Sequence, residues 1–153
     1  MPDWMNLQCN RQTMPTLLAQ HTVDTPASPK AAWALWTEPS RWRNFYPGLD
    51  RAEGTLKVGA PLTLRGLHAG GEQSFKVLAF EPGVTFTLQR RLLFADLTLV
   101  HRVDPSALGC RLHVKAQLSG PLGWLQGRLR RRAWDAFLPM LLRRLAQEAQ
   151  VQA

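Results

Sequence analysis

Between Leu49 and Ser119, apolar and polar residues alternate in short runs. The runs are broken by Lys57-Val58-Gly59, Gly70-Gly71, Pro82-Gly83 and the stretch from Asp104-Pro105 to Gly109. A period of two sends successive side chains to opposite faces of a strand, and the glycines and prolines mark the turns. The pattern predicts six strands here, and Met14 to Asp24 predicts one before them. Thr25-Pro26-Ala27-Ser28-Pro29 breaks that first strand. Ser28 then reads as the N-cap, and Pro29 as the first residue, of a short helix running through Thr37 with Trp33, Leu35 and Trp36. Pro39 stops it. Ser40 is the expected cap of a second short helix bearing Trp42, Phe45 and Tyr46, which Pro47-Gly48 ends. After Gly120-Pro121 a helical period runs to about Gln150. Grouped strands with segregated helices predict an α+β domain with a seven-stranded antiparallel sheet.

Counting outward from each turn gives a register. Two-residue turns at Gly70-Gly71, Pro82-Gly83 and Leu92-Leu93, with a longer one at Asp104 to Gly109, pair Leu64 with Val77, Val77 with Leu88, Leu88 with Leu97, and Leu97 with Ala116. The next row is Ala79, Phe86, Leu99 and Val114. One face is then apolar across five strands, and a one-residue slip would turn a whole set outward. Lys76, Thr85, Thr87, Gln89, Thr98, Arg102, Arg111, His113, Lys115 and Gln117 fall on the other face. Three polar residues fall on the apolar face: Arg90 beside Phe75 and Ala95, His101 beside Val84 and Leu112, and His68 beside Gln73. A buried cation or imidazole needs a partner or a route to water. Arg90 is thus either a strand-end side chain reaching solvent or a ligand contact. His101 is either satisfied inside the core or turned to a ligand. His68, next to Gly70-Gly71, reads as exposed.

In the last helix, Leu122, Leu125, Leu129, Ala133, Ala136 and Met140 make one apolar stripe. Trp134, Leu138, Leu141 and Leu145 make a second, with Phe137 between them. One stripe can cover the sheet while the other meets the short helices or a partner. Pro139 removes a backbone donor and is expected to kink the helix. Arg128, Arg131 and Arg132 occupy the remaining face.

At 153 residues and 45% hydrophobic, the chain fits one folded domain, expected over 13–150 after an N-terminal extension, 1–12. It has no apolar run of about 18 residues, the length a membrane span needs. Its first residues lack the basic start and apolar stretch of a signal peptide, so a cytoplasmic location is expected. Cys9 and Cys110 match no metal spacing and read as free thiols. Much of the net charge of +8 is arginine concentrated at 128–132. That face is expected to be solvated, with anionic lipid or an acidic protein as its other uses and no nucleic acid as partner. No phosphate loop, nucleophile elbow or inward carboxylate pair stands out, so no catalytic set, metal or cofactor is expected.

The stretch from Thr25-Pro26-Ala27-Ser28-Pro29 through Trp33, Trp36, Glu38-Pro39 and Trp42 resembles the opening of the SRPBCC, or START-like, superfamily. Members that resemble this chain are often labelled polyketide cyclase/dehydrase. Ser119-Gly120-Pro121-Leu122, leading into an arginine-rich helix with a central Pro139, is similar to that group as well. Glu38 stands where many relatives have Asp. The resemblance implies a helix-grip fold: a curved antiparallel sheet around the C-terminal helix, enclosing an apolar cavity. It brings no shared catalytic residues, and fold does not fix function.

Three uses of such a chain follow. The first is binding of an apolar small molecule. Phe75, Phe86, Leu88, Leu97, Leu99 and Val114 would form the wall, Arg90 and His101 would orient the ligand, and Trp36, Trp42 and Tyr46 would be a lid. The second is an enzyme on an aromatic or polyketide-like substrate, with His101 transferring a proton and Arg90 stabilising an oxyanion. The third is an interaction protein that uses the basic helix and has a collapsed cavity.

Overall fold

The computed structural model describes residues 16–66 and 71–151. The expected N-terminal extension, Cys9, His68 and Gly70 lie outside the described residues. The elements run β1 (Thr16–Thr25), α1 (Pro29–Trp36), a 3-10 helix (Pro39–Asn44), β2 (Arg51–Gly54), β3 (Pro61–Arg65), β4 (Glu72–Glu81), β5 (Thr85–Leu92), β6 (Ala95–Pro105), β7 (Cys110–Ser119) and α2 (Gly123–Val151). The strands form one antiparallel sheet in the order β1-β7-β6-β5-β4-β3-β2. Strands β2 to β7 are a meander, and β1 joins its far edge. The result is the α+β helix-grip architecture.

Local chemistry sets the helix starts. Ser28 Oγ accepts a hydrogen bond from the Ala31 amide at 3.1 Å, and Pro29 opens α1. Ser40 is not a cap: the 3-10 helix already begins at Pro39, and its N-cap, Glu38, makes no side-chain hydrogen bond to it. Tertiary packing holds this segment instead. The buried Trp42 Nε1 donates to the carbonyl of Trp36 at 3.0 Å, which satisfies an acceptor at the end of α1.

The faces of the sheet agree with the alternation, but many partners differ. Val77 does pair with Leu88. Leu64 pairs with Gln73 rather than Val77, Leu88 with Leu99 rather than Leu97, and Leu97 with Leu118 rather than Ala116. Arg90 faces Leu97, and His101 lies between Phe86 and Val114. These shifts are even-numbered, so each side chain keeps its face. The β5–β6 turn is Leu93-Phe94, one residue later than expected, with Phe94 in the left-handed region at φ 58°. In β4 an odd shift does occur. A bulge at Leu78 makes Ala79 face Thr87, and Phe80 replaces Ala79 as the partner of Phe86. Ala79 is exposed, while Phe80 packs against Trp33 with ring centroids 5.6 Å apart.

The helix α2 also departs from expectation. Its sheet-facing residues are Leu138, Leu141, Leu142, Leu145, Ala146 and Ala149, all buried and close to the second stripe. The first stripe is largely uncovered: Leu125, Leu129, Ala133, Ala136 and Met140 are exposed. The C-terminal half of α2 packs as a core helix. The N-terminal half buries only Gly123 and Gly127 fully, against β7 and β1.

An aromatic cluster joins the short helices to the middle of the sheet. The His101 ring stacks on Phe86 with centroids 4.2 Å apart and planes 8° apart, and Trp36 meets it edge-on at 5.2 Å. Trp42 lies over Phe86 and stacks on Tyr46 at 5.0 Å. His101 Nδ1 lies 3.3 Å from the carbonyl of Phe86, so the tautomer with its proton on Nδ1 donates there. Burial, only partly offset by bonds to the Phe86 and Leu99 backbone, holds the imidazole at about 3.

Two outcomes are expected. Hydrogen exchange will find the amides of 97–103 and 112–118 among the best protected, and those of 124–137 opening well before those of 138–149. Uniform protection along α2 would contradict its division. For His101, the folded-state pKa lies below the unfolded value of about 6.5, so stability is full above pH 6.5 and is lost as pH falls from there toward 3. The slope from this group is about 1.4 kcal/mol per pH unit. Unfolding titrations should show that component missing from His101→Phe, with other groups cancelling in the comparison.

Candidate functional site

The concave face is not filled along its whole length. Between the inner face of β3–β6 and the N-terminal half of α2 lies a cavity of about 420 Å³. Its floor is Tyr46, Leu64, Phe75, Leu88, Leu97 and Leu99, all buried. Strand alternation aims the five sheet residues inward, and stacking on Trp42 sets Tyr46 beside them. The rim is more exposed. Gly71 comes from just before β4, Glu72 and Gln73 from its start, Arg90 from β5, and Arg130, Ala133, Trp134 and Phe137 from α2. The helix residues are spaced three, four and seven apart and so share one face.

Of the residues expected at a ligand site, Tyr46, Phe75, Leu88, Arg90, Leu97 and Leu99 line this cavity. Trp36, Trp42, Phe86, His101 and Val114 do not: they lie fully buried in the core, at 0–1% exposure. Trp36 and Trp42 are part of the packed cluster, and Tyr46 alone of the three expected lid residues reaches the hollow. His101 is held neutral by burial, bonds to the Phe86 carbonyl and is not among the residues that line the cavity. Arg130, Ala133, Trp134 and Phe137 were not among the expected site residues. Their common helical spacing was the available signal, obscured because Ala133 and Trp134 were divided between the two stripes and Arg130 belonged to neither.

The polar groups are few. Glu72 is the one carboxylate lining the cavity among the described residues, and Arg65 engages it through Nε at 3.0 Å and Nη2 at 2.9 Å. Arg90 is half-buried and has no hydrogen bond or ion pair among the described residues. Burial pushes its guanidinium below the ordinary value, and the neighbouring positive charge of Arg130 adds to that. Burial also raises the Tyr46 phenol strongly, so it remains a protonated donor. The Trp36 Nε1–H lies near enough to favour the phenolate slightly, but falls short of a hydrogen bond and has no partner among the described residues. The arrangement can therefore enclose an apolar body and present two cations and a phenol to it. No group of three His, Cys, Asp or Glu side chains that could hold a metal ion occurs among the described residues. No described helix is long and apolar enough to cross a membrane.

Comparison with solved structures gives the same fold at low identity. A protein of Nitrosomonas europaea shares 12% identity, with 88% of this chain and 95% of that one covered, at a TM-score of 0.71. The di-domain ARO/CYC StfQ of the steffimycin biosynthetic pathway shares 13% over 97% of this chain, at 0.70; the match spans 55% of that longer protein. Truncated norcoclaurine synthase from Thalictrum flavum shares 13%, with 89% and 94% covered, at 0.67. No curated protein matches the chain. The family model described as polyketide cyclase/dehydrase and lipid transport matches residues 16–150. With its sheet, its gripping helix and that match over most of its length, the chain belongs to the polyketide cyclase/dehydrase and lipid transport family of the SRPBCC superfamily.

Proposed function

We propose that this domain, extending over about 13–150, binds an apolar small molecule in the cavity beneath α2. The observation that carries the reading is the gradient across the site: a buried floor of leucines and aromatic rings opens to a rim of half-buried and exposed groups. A cavity of about 420 Å³ falls within the usual range for small-molecule sites, roughly 300–1,000 Å³. A reaction here would have to use Tyr46, Glu72, Arg90 or Arg130.

The test is occupancy followed by exclusion. A native mass spectrum of freshly purified protein should show a retained small molecule, and neutral phenylnaphthylamine should brighten on binding. Leu97→Trp places bulk in the hollow, so it should weaken the dye at least tenfold while costing roughly 1–3 kcal/mol of stability. Unchanged dye affinity in a folded Leu97→Trp protein would remove the cavity as the binding site.

A second surface has a feature of its own. Leu93 and Phe94 are 76% and 61% exposed, and Trp124, Leu125 and Leu129 are 55%, 38% and 76% exposed. Gln126 donates to the Leu93 carbonyl, and the Leu122 amide to that of Phe94, so the β5–β6 turn meets the start of α2. Arg91, Arg128, Arg131 and Arg132 are exposed on these same segments. Apolar tips among arginines suit the surface of an anionic bilayer. Co-sedimentation with phosphatidylserine-containing vesicles is expected, weakening with salt and on Phe94→Ser with Trp124→Ser. Equal recovery with purely zwitterionic vesicles would reject an electrostatic contribution.

A further inference from the structure

Arg90 occupies a costly position. It is on the inward face of β5, in line with Phe86 and Leu88, where its neighbours Gln89 and Arg91 are turned the other way. A cation on an apolar face is normally matched by a carboxylate or carried out to water. Here the carboxylate at the cavity is held by Arg65, and the nearest charged neighbour from the helix is another cation, Arg130. The two guanidinium groups therefore line one cavity with no anion between them among the described residues. Their repulsion opposes the closed arrangement of β5 and α2, and an anion between them would relieve it.

Resting on the reading of the cavity as a ligand site, we propose that its ligand carries an acidic group, held at the rim between Arg90 and Arg130 with its apolar body on Leu88, Leu97 and Leu99. Guanidinium forks match the oxygens of a carboxylate, sulfonate or phosphate. The low polarity of the floor strengthens that attraction relative to open solvent. The protonated Tyr46 hydroxyl, on the cavity floor, supplies a neutral donor further in. The volume suits a compact aromatic acid or a single short chain rather than a two-tailed lipid.

A pair of dyes separates this proposal from the reading beneath it. Anilinonaphthalene sulfonate and phenylnaphthylamine share one ring skeleton, and only the first is an anion. Arg90→Gln and Arg130→Gln should each weaken the sulfonate by about tenfold and leave the neutral dye unchanged. The double change of the exposed Arg128 and Arg132 to Gln should alter neither, which excludes general surface charge. Arg130 is exposed, so Arg130→Gln remains a valid test if Arg90→Gln fails to fold. Neutral binding that Leu97→Trp abolishes, with sulfonate affinity indifferent to both arginines, would overturn the acidic ligand while keeping the cavity. Sulfonate binding that survives Leu97→Trp would mark adsorption outside the cavity and overturn it too. If neither dye senses Leu97→Trp, the underlying site falls, and the proposal falls with it.

Discussion

An uncharged imidazole lying flat on a phenyl ring is the joint on which this structure turns. His101 and Phe86 are cross-strand partners on β6 and β5, and both are fully buried. Trp36 closes edge-on over their pair, and Trp42 covers Phe86. The short helices are thereby fixed to the centre of the sheet, while the long helix is anchored mainly on β1 and β7 and packs against α1 as well. A protonated imidazole would destroy the arrangement, because its charge would sit among aromatic edges and faces without a carboxylate partner. The neutral form instead gives one donor to the Phe86 carbonyl and an apolar face to the rings around it.

The cavity follows from the same joint. The inner face of a seven-stranded sheet is broader than one helix can cover. Leucines of the C-terminal half of α2 fill one part, and the Trp36–Trp42–His101 cluster fills another. The aromatic pack holds Tyr46 at its border, and Phe137 approaches that ring from the helix at 6.2 Å. The space left between these two packed bodies receives Arg90 and Arg130. Rigid fillings on both sides explain how a hollow lined by leucines persists beside a core that is close-packed.

Much of the fold was legible because face, not partner, controls burial. Moving a strand by two residues leaves its leucines inside, so alternation located the core even where the turns were misplaced. Leu93-Phe94 has none of the usual turn residues, and the adjacent Leu92-Leu93 looked no worse. The run Val77-Leu78-Ala79-Phe80 concealed the bulge, since an unbroken apolar stretch has no phase to lose. The site was legible in part. Leu88, Leu97 and Leu99 follow from alternation, and Arg90 was conspicuous as a charge on the wrong face. His101 was equally conspicuous, yet its partners are backbone groups and rings, which no linear pattern reveals. Arg130 looked like one more arginine in a solvated cluster, and only the placement of Trp134 and Phe137 turns it toward the hollow.

The uneven fastening of α2 separates two properties that often travel together. Its C-terminal half is sealed into the core, whereas the half above the cavity is fixed by two buried glycines, the half-buried rings of Trp134 and Phe137 and a few polar bonds. Opening that half uncovers Trp134, Phe137 and the cavity floor but leaves the leucines of the C-terminal half packed, so it costs less than global unfolding. A guest's residence time would then be governed by the fraying of one helical segment, while heat resistance is governed by the aromatic joint and the leucines at 138–145. Substitutions that raise the melting temperature through the core would leave the exchange rate of a guest almost untouched. A single added bond near Gln126 or Arg131 could slow exchange with hardly any change in melting.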